Sequence, residues 1–215
     1  LTFSRGGEPV KEKASIEDII RESSEFVLHG SNVKCKYHFP DNLWNVNVDR
    51  GQISQVINNL IINSDQAMPE GGNVRIKAEN VELEEDNTLP LSEGKYIKVT
   101  IEDEGIGISK EHLDKIFDPF FSTKHKGSGL GMAIVYSIIQ KHDGYITIES
   151  RLGQGTTCYI YLPALGEVEV GEEEEKEIHL KKEIKVLLMD DEGVVRKVGK
   201  RILERIGCKG EVAVD

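Results

Sequence analysis

The chain has 215 residues, of which 38% are hydrophobic and 30% charged, and its formal net charge is −11. This length accommodates one complete domain and part of another, and the composition is typical of a soluble globular protein. Nucleic acid is an unfavourable partner, because phosphate backbones are bound mainly through clustered Lys and Arg. The first residues do not have the pattern of a secretion signal, so we expect none in this segment, and no apolar run approaches the roughly 20 residues of a membrane span. We therefore expect a cytoplasmic location, with membrane anchoring of the parent protein left open.

The first fifty residues combine short strands with one helix. Residues 1–9 are interpreted as the end of an upstream segment, because glycines and a proline interrupt any helix there. A first strand is predicted near residues 13–16, and Ser15 is a plausible cap for the helix that follows. Alternating apolar side chains predict two further short strands, at residues 35–39 and 46–48, on either side of a turn.

A longer helix begins after Asp49, whose carboxylate is typical of a helix N-cap. Asn59 and Asn63 lie four residues apart and therefore on one face of this helix. A neighbouring face forms an apolar stripe typical of a helix that packs on a core. The stripe consists of Ile53, Val56, Ile57, Leu60 and Ile61. Pro69 follows the predicted end of the helix.

Strands and helices then intermingle. Two strands are predicted at residues 73–83 and 96–103, and a short helix capped by Ser109 is expected to end near Phe117. The remaining predicted elements are an apolar helix at residues 130–141 and a hairpin of two strands at residues 145–150 and 156–162. Because strict strand-helix-strand repetition is missing, we predict an α/β sandwich with helices on one face of a mixed sheet.

Residues 55–68 read QVINNLIINSDQAM and resemble the N box of histidine kinases and of their ATPase relatives gyrase, Hsp90 and MutL. The resemblance implies that Asn63 supplies a neutral amide oxygen to Mg²⁺, which prefers oxygen ligands. It also implies that Asn59, one helical turn earlier, contacts the nucleotide. Spacing alone leaves open the alternative of two solvent-facing asparagines.

Residues 103–108 read DEGIGI and resemble the G1 box of the same family. A carboxylate at a strand end, here Asp103, can accept a hydrogen bond from an exocyclic amine such as that of adenine. Gly105 and Gly107 allow the backbone to approach a planar ligand closely. The resemblance therefore implies adenine recognition, whereas the string alone is also typical of an acidic β-turn.

Two further motifs flank the mobile ATP lid that the resemblance implies. Residues 117–121, FDPFF, resemble the F box, and Lys124 follows them, available to phosphate. Residues 127–131, GSGLG, resemble the G2 box. Glycines just before a helix expose backbone N–H groups at the positive end of the helix dipole, which together form an anion site for a triphosphate. The residues assigned to this site are Gly127, Ser128, Gly129, Leu130 and Gly131.

Residues 153–157, GQGTT, resemble the family's Gly-x-Gly-Thr turn, where Thr156 would reach the adenine pocket. Each motif is modest alone, and the strong signal is the order N box, G1, F box, G2 and Gly-x-Gly-Thr over residues 55–163. The resemblance implies a Bergerat two-layer α/β sandwich with a mixed sheet, assigned to residues 10–164. It also implies ATP and Mg²⁺ as cofactors.

One position separates kinases from hydrolases in this superfamily. The hydrolases carry a glutamate one turn before the metal-binding asparagine, whereas this chain carries Asn59, which is no general base near neutral pH. We therefore expect transfer of the ATP γ-phosphoryl to an external nucleophile, with Asn59 and Lys124 as catalytic residues. In histidine kinases the nucleophile is a histidine on an upstream dimerising hairpin. None of the 6 histidines here has that context, so we expect a chain that binds ATP without phosphorylating itself. Because the hairpin of the family dimerises, we also expect the parent protein to be a homodimer.

The remaining residues predict a linker and the start of a second domain. The acidic stretch at residues 165–182 is interpreted as the linker. Residues 184–189, IKVLLM, predict a buried strand that ends at Asp190 and Asp191, which resembles the first strand of a receiver domain and implies Mg²⁺ binding by this acidic pair. The β-α-β start of this flavodoxin-like domain is assigned to residues 183–215, with a helix at residues 194–206 and a second strand at residues 211–214.

Two alternatives from other functional classes remain. An ATPase or chaperone module of the same superfamily would hydrolyse ATP, and Asn59 argues against it. A catalytically degenerate scaffold would use the fold for protein contacts only. Loss of ATP binding in Asp103→Ala or Asn63→Ala would argue against the scaffold.

Overall fold

The computed structural model describes residues 8–123 and 128–166, together with the backbone of residues 185–189 and 209–213. The chain divides into two units, Leu1–Glu169 and Val170–Asp215. The predicted tail helix at residues 194–206 and most of the predicted linker lie outside the described residues. In the part of the chain that is described, no helix combines the length and apolar character that crossing a bilayer requires.

Eleven of the described elements lie in the first unit and two in the second. In chain order they are β1 (Glu12–Ala14), α1 (Ile16–Val27), β2 (Val33–His38), β3 (Val46–Val48), α2 (Arg50–Ala67), β4 (Gly72–Leu83), β5 (Gly94–Asp103), α3 (Lys110–Leu113), α4 (Gly131–Lys141), β6 (Tyr145–Arg151), β7 (Gly155–Pro163), β8 (Lys185–Met189) and β9 (Lys209–Ala213). The two strands of the second unit pair in parallel, with Leu187 opposite Glu211.

A five-stranded mixed sheet forms one layer of the first unit. Its strand order is β2-β4-β5-β7-β6, with β2 parallel to β4 and the other pairs antiparallel. Along β4 the side chains alternate: Val74 and Ile76 are buried, whereas Arg75 and Lys77 form ion pairs on the outer face. This alternation is typical of a sheet with one face on the core. The prediction of an α/β fold with a mixed sheet is confirmed.

The helices form the second layer and share the core with the inner face of the sheet. In α1, Ile16, Ile19 and Ile20 are almost completely buried, as are Val135 and Ile139 in α4. Burial of one such side chain contributes about 1.5–3 kcal/mol. The predicted apolar stripe of α2 is buried at every position: Ile53, Val56, Ile57, Leu60 and Ile61. The helical periodicity of the sequence therefore identified the core face of α2 correctly.

Two of the three predicted helix caps, Ser15 and Asp49, make their capping bonds. The Ser15 hydroxyl accepts the Asp18 N–H at 3.3 Å, and the Asp49 carboxylate accepts the Gln52 N–H at 3.0 Å. Because Ser15 is the cap, the first strand ends at Ala14 rather than near residue 16 as predicted.

One local prediction was wrong. The helix predicted from Ser109 to near Phe117 has only four residues; the Ser109 hydroxyl contacts the His112 ring instead of capping the helix, and the chain continues in turns. The two short strands predicted on either side of a turn are present as β2 and β3, and they belong to different sheets, since β2 pairs with β4 and β3 pairs with β1. Pairing between strands distant in sequence is not visible in local alternation.

A buried histidine joins α4 to α2. His142 is the C-cap of α4 and is 2% exposed. Its Nδ1 donates to the Ile138 carbonyl at 2.8 Å, and its Nε2 accepts the backbone N–H of Asp49, the cap of α2, at 3.0 Å. Burial lowers the pKa of His142 below its ordinary value. The neutral ring is therefore the form that fits, because a proton on Nε2 would face the Asp49 N–H.

We expect the free energy of unfolding to decrease as the pH falls below about 6.5, the ordinary pKa of histidine. The unfolded chain takes up a proton on His142 in this range, whereas the folded chain keeps the ring neutral until the pH passes its lowered pKa. The stabilisation that the neutral His142 ring provides is complete above the ordinary pKa of histidine. It is lost as the pH falls from that value towards the lowered pKa of His142. The pKa of Asp49 is also lowered, so its contribution is lost only near the ordinary carboxylate range.

Urea denaturation from about pH 7.5 to about pH 5 measures this dependence. In the variant His142→Gln, the free energy of unfolding should decrease less as the pH falls. The matched control His38→Gln removes an exposed histidine of β2, and its free energy of unfolding should decrease as in wild type. An equal decrease in wild type and His142→Gln would contradict the assignment.

Candidate functional site

A cavity of about 380 Å³ lies between α2, the ends of β5 and β7, and the start of α4. Its lining combines residues from the N box, G1, G2 and Gly-x-Gly-Thr motifs, which are far apart in sequence. The predicted site residues that it brings together are Asn59, Asn63, Asp103, Ser128, Gly129, Gly131 and Thr156. Asn63, Asp103 and Gly129 therefore line one common cavity.

The Asp103 carboxylate forms the polar floor at one end of the cavity. Asp103 is 7% exposed and is the last residue of β5. Its Oδ2 accepts the hydroxyl proton of Ser64 at 3.0 Å, and its Oδ1 accepts the N–H groups of Gly105 at 3.0 Å and Thr156 at 3.2 Å. Donors from α2, the G1 turn and β7 thus fix one buried carboxylate, which can accept a further hydrogen bond from a ligand.

Apolar side chains form the walls next to this carboxylate. Ile101, Ile148 and Cys158 come from adjacent strands, with Cys158 opposite both isoleucines. Complete burial raises the pKa of the Cys158 thiol, which keeps it protonated and effectively apolar. An apolar slot that ends in a carboxylate acceptor suits a heteroaromatic base that carries an amine.

The two asparagines of α2 lie between this slot and α4. Both line the cavity, and the Asn63 amide donates to the Met132 thioether at 3.3 Å. Asn59 lies against Gly131, the first residue of α4, where an added Cβ would be 3.3 Å from Asn59 Oδ1. Gly131 therefore leaves the space that the Asn59 side chain occupies.

The start of α4 closes the other end of the cavity. Leu130 is its N-cap and makes no side-chain capping bond, and its own N–H donates to the Ser128 hydroxyl at 3.4 Å. Gly129 has a φ of 68°, and a Cβ there would overlap the backbone of Phe120, whose N–H donates to the Gly129 carbonyl at 2.9 Å. The G2 turn is therefore closely packed, and the helix N-terminus that follows it suits an anion.

Three predicted binding residues do not line the cavity. Leu130 is the cap of α4, and the glycines of the G1 turn face protein rather than ligand. A Cβ on Gly105 would be 2.6 Å from Ala67 Cβ, and one on Gly107 would overlap the Arg151 carbonyl. The remaining predicted site residues lie outside the described part of the chain: Lys124, Gly127, Asp190 and Asp191.

Sequence reasoning missed two serines. Ser64 lines the cavity and holds Asp103, and Ser150 contacts the Thr156 hydroxyl at 3.0 Å. Ser64 was detectable, because it extends the buried stripe of α2 by one turn from Leu60 and directly follows Asn63. A polar residue on a buried helix face requires a partner. Ser150 gives no comparable signal in the sequence.

The family model of histidine kinase-, DNA gyrase B-, and HSP90-like ATPases matches residues 48–166, which is more than half of the chain. Among curated proteins, the sensor kinase CckA of Brucella abortus (strain 2308) is 36% identical over 223 residues, covering 96% of this chain and 24% of CckA. The chain thus spans about a quarter of the length of that relative.

Two solved structures are similar in fold. The catalytic domain of the histidine kinase ThkA has a TM-score of 0.58 at 28% identity, covering 72% of this chain and 95% of that chain. Full-length ShkA in complex with AMPPNP has a TM-score of 0.62 at 22% identity, covering 97% of this chain and 42% of that chain, a likeness of fold alone. Since the motifs converge on one cavity within the matched segment, the chain belongs to the histidine kinase-, DNA gyrase B-, and HSP90-like ATPase family.

Proposed function

We propose that this chain binds ATP with Mg²⁺ in the cavity and transfers the γ-phosphoryl to a histidine on a separate, upstream dimerising helical domain. The observation that carries the proposal is that the two ends of the cavity differ in chemistry. A buried carboxylate acceptor, Asp103, stands at one end, and the N-terminus of α4 stands at the other. Adenine at the first and phosphates at the second match these ends.

The α2 asparagines would act between the base and the phosphates. Asn63 is the proposed ligand of Mg²⁺, which would neutralise charge on the phosphate oxygens. Among the described residues, no three His, Cys, Asp or Glu side chains group together to hold a metal ion. This favours a metal that arrives with the nucleotide and is completed by phosphate oxygens and water.

The described lining also favours transfer over hydrolysis. Asp103 is the only acidic residue among the described residues that line the cavity, and Ser64 and two backbone N–H groups already engage it. Asn59 stands where hydrolases of this superfamily carry a glutamate, and an amide cannot take a proton from water near neutral pH. The proposed tasks of Asn59 and Lys124 are therefore positioning of the phosphates and charge stabilisation.

The proposed reaction is phosphoryl transfer between two nucleophiles. A nitrogen of the external imidazole forms a bond to the γ-phosphorus, the bond from that phosphorus to the β,γ-bridging oxygen breaks, and ADP leaves. The imidazole gives up its proton to solvent. The cavity residues hold the leaving group and its charge while the nucleophile comes from outside.

The proposed partners follow from the relatives. CckA is named a sensor kinase and ThkA a histidine kinase. With the motif resemblance, this leads us to propose a homodimeric parent protein with the acceptor histidine upstream of this domain. For the second unit we propose the start of a receiver domain, with Asp190 and Asp191 as its acidic Mg²⁺ pair. The parallel pairing of β8 with β9 supports this, since parallel neighbours require a crossover connection.

A phosphotransfer assay tests the proposal. Purified chain with radiolabelled ATP and Mg²⁺ should bind nucleotide, release little phosphate and acquire no phosphohistidine itself. Addition of the histidine-bearing helical domain of CckA as a separate protein should produce acid-labile label on that domain. Its His→Gln form is the matched control. Steady-state phosphate release that exceeds labelling, unchanged by the added domain, would identify an ATPase instead.

A further inference from the structure

Hydrogen bonds fix the hydroxyl directions at the Asp103 end of the cavity. We call Ser64, Asp103 and Thr156, which all line the cavity here, the acceptor wall. The Ser64 hydroxyl donates its single proton to Asp103 Oδ2 at 3.0 Å, so only its lone pairs remain for a ligand. The backbone N–H groups of Gly105 and Thr156 are likewise directed at Asp103 Oδ1.

Ser150 fixes the hydroxyl of Thr156 in the same way. The Ser150 hydroxyl donates to the Gly155 carbonyl at 2.7 Å and accepts the Ile108 N–H at 2.8 Å. A hydroxyl has one proton, and the Ser150 proton is committed to that carbonyl. The 3.0 Å contact between the two hydroxyls must therefore be donated by Thr156. The Thr156 hydroxyl, too, has only lone pairs left for a ligand.

We propose that Ser64 and Ser150 are specificity-determining residues: they make the acceptor wall a surface of hydrogen-bond acceptors, which selects a purine with an amino group at carbon 6 over one with an oxo group. This rests on the proposed function, because it requires a purine nucleotide in the cavity. An amino group donates to the wall. An oxo group places its lone pairs against those of Asp103. The Ser64 hydroxyl cannot turn to donate to it because its proton is bound to Asp103, and the Thr156 hydroxyl cannot because its proton is bound to Ser150.

The test compares ATP with inosine triphosphate, which has the same ribose and triphosphate and carries the oxo group. The readout is the ratio of their dissociation constants, measured by calorimetry with Mg²⁺ present. We expect wild type to prefer ATP by roughly 100-fold or more. Ser64→Ala removes the donor that holds the carboxylate and should reduce the preference about tenfold. Ser64→Thr keeps a hydroxyl and should restore it.

Ser150→Ala should also reduce the preference about tenfold, because the Thr156 hydroxyl becomes free to donate to the oxo group. Adding Thr156→Val should remove the gain in inosine triphosphate affinity. The matched control is Ser137→Ala, the same chemical change on an exposed face of α4, which should leave the ratio unchanged.

The outcomes separate this inference from the proposed function. ATP binding by wild type with no discrimination, or with the ratio unchanged in both Ser64→Ala and Ser150→Ala, would overturn the inference and leave ATP binding standing. Absence of ATP binding by the folded wild-type chain would overturn both. A ratio that falls in both alanine variants and returns in Ser64→Thr would support the acceptor wall.

Discussion

Asp103→Asn should weaken ATP binding at least about 100-fold while the chain stays folded. The amide oxygen of an asparagine can still accept the N–H groups of Gly105 and Thr156, and its NH₂ can donate to the Ser64 hydroxyl. The fold therefore keeps its hydrogen bonds. The second amide proton would face the cavity, where the proposed ligand presents an amine, and two donors cannot pair.

Isothermal titration with ATP and Mg²⁺ measures this loss, and thermal unfolding verifies that the variant is folded. The neighbouring Glu102→Gln is the matched control, because Glu102 pairs with Arg75 on the outer face of the sheet. We expect its affinity for ATP to stay within about twofold of wild type. An Asp103→Asn variant that binds ATP as tightly as this control would contradict the assignment of the base to Asp103.

Gly155→Ala should be the most destabilising single methyl addition near the cavity. Gly155 has a φ of 95°, and a Cβ there would overlap the backbone carbonyl of Asp103. The added Cβ is attached to the backbone of β7, and the carbonyl belongs to the backbone of β5. Because these strands are paired, neither atom can move without disturbing the β5–β7 register at Asp103 and Thr156. We expect a loss of more than about 4 kcal/mol in the free energy of unfolding, together with loss of ATP binding.

The chain offers a control two residues away. Gly153 also has a positive φ, 76°, but nothing lies within 4 Å of an added Cβ. Gly153→Ala should therefore cost only about 1–2 kcal/mol, the strain of the left-handed backbone. Urea denaturation measures the free energy of unfolding of both variants. Gly153→Ala gives the effect of the backbone strain alone, and Gly155→Ala gives the effect of the strain together with the overlap. Equal losses would show that the close approach to Asp103 does not matter.

Local signals made the central helix predictable. The cap at Asp49, the apolar stripe through Ile57 and Ile61, and the end before Pro69 all depend on residues within a few turns of one another. Such features are set by short-range geometry, which a single sequence records directly. Asn63 was instead assigned through the resemblance to the N box, because its spacing alone left a solvent-facing side chain open.

Features that depend on distant partners were not predictable. Ser150 fixes the Thr156 hydroxyl through bonds to a carbonyl and to the Ile108 N–H, 42 residues away in sequence. His142, at the end of α4, accepts a bond from the Asp49 N–H, 93 residues away. No local periodicity encodes these contacts. They arise only when β5, β6, β7 and the helices assemble.

The role of the G1 glycines illustrates a different difficulty. Their presence was correctly interpreted as a need for close approach, but Gly105 and Gly107 approach Ala67 and Arg151 rather than the cavity. A glycine indicates that something is near its α-carbon without indicating what. Only the tertiary arrangement distinguishes a neighbouring backbone from a ligand.

A crystal structure of the chain with AMPPNP and Mn²⁺ tests the central claim most directly, because Mn²⁺ marks the metal site by anomalous scattering. We predict the base amine against the Asp103 carboxylate, the metal peak beside Asn63, and the phosphates at the N-terminus of α4. A nucleotide bound elsewhere, a reversed nucleotide, or an empty cavity at saturating ligand concentration would contradict the account.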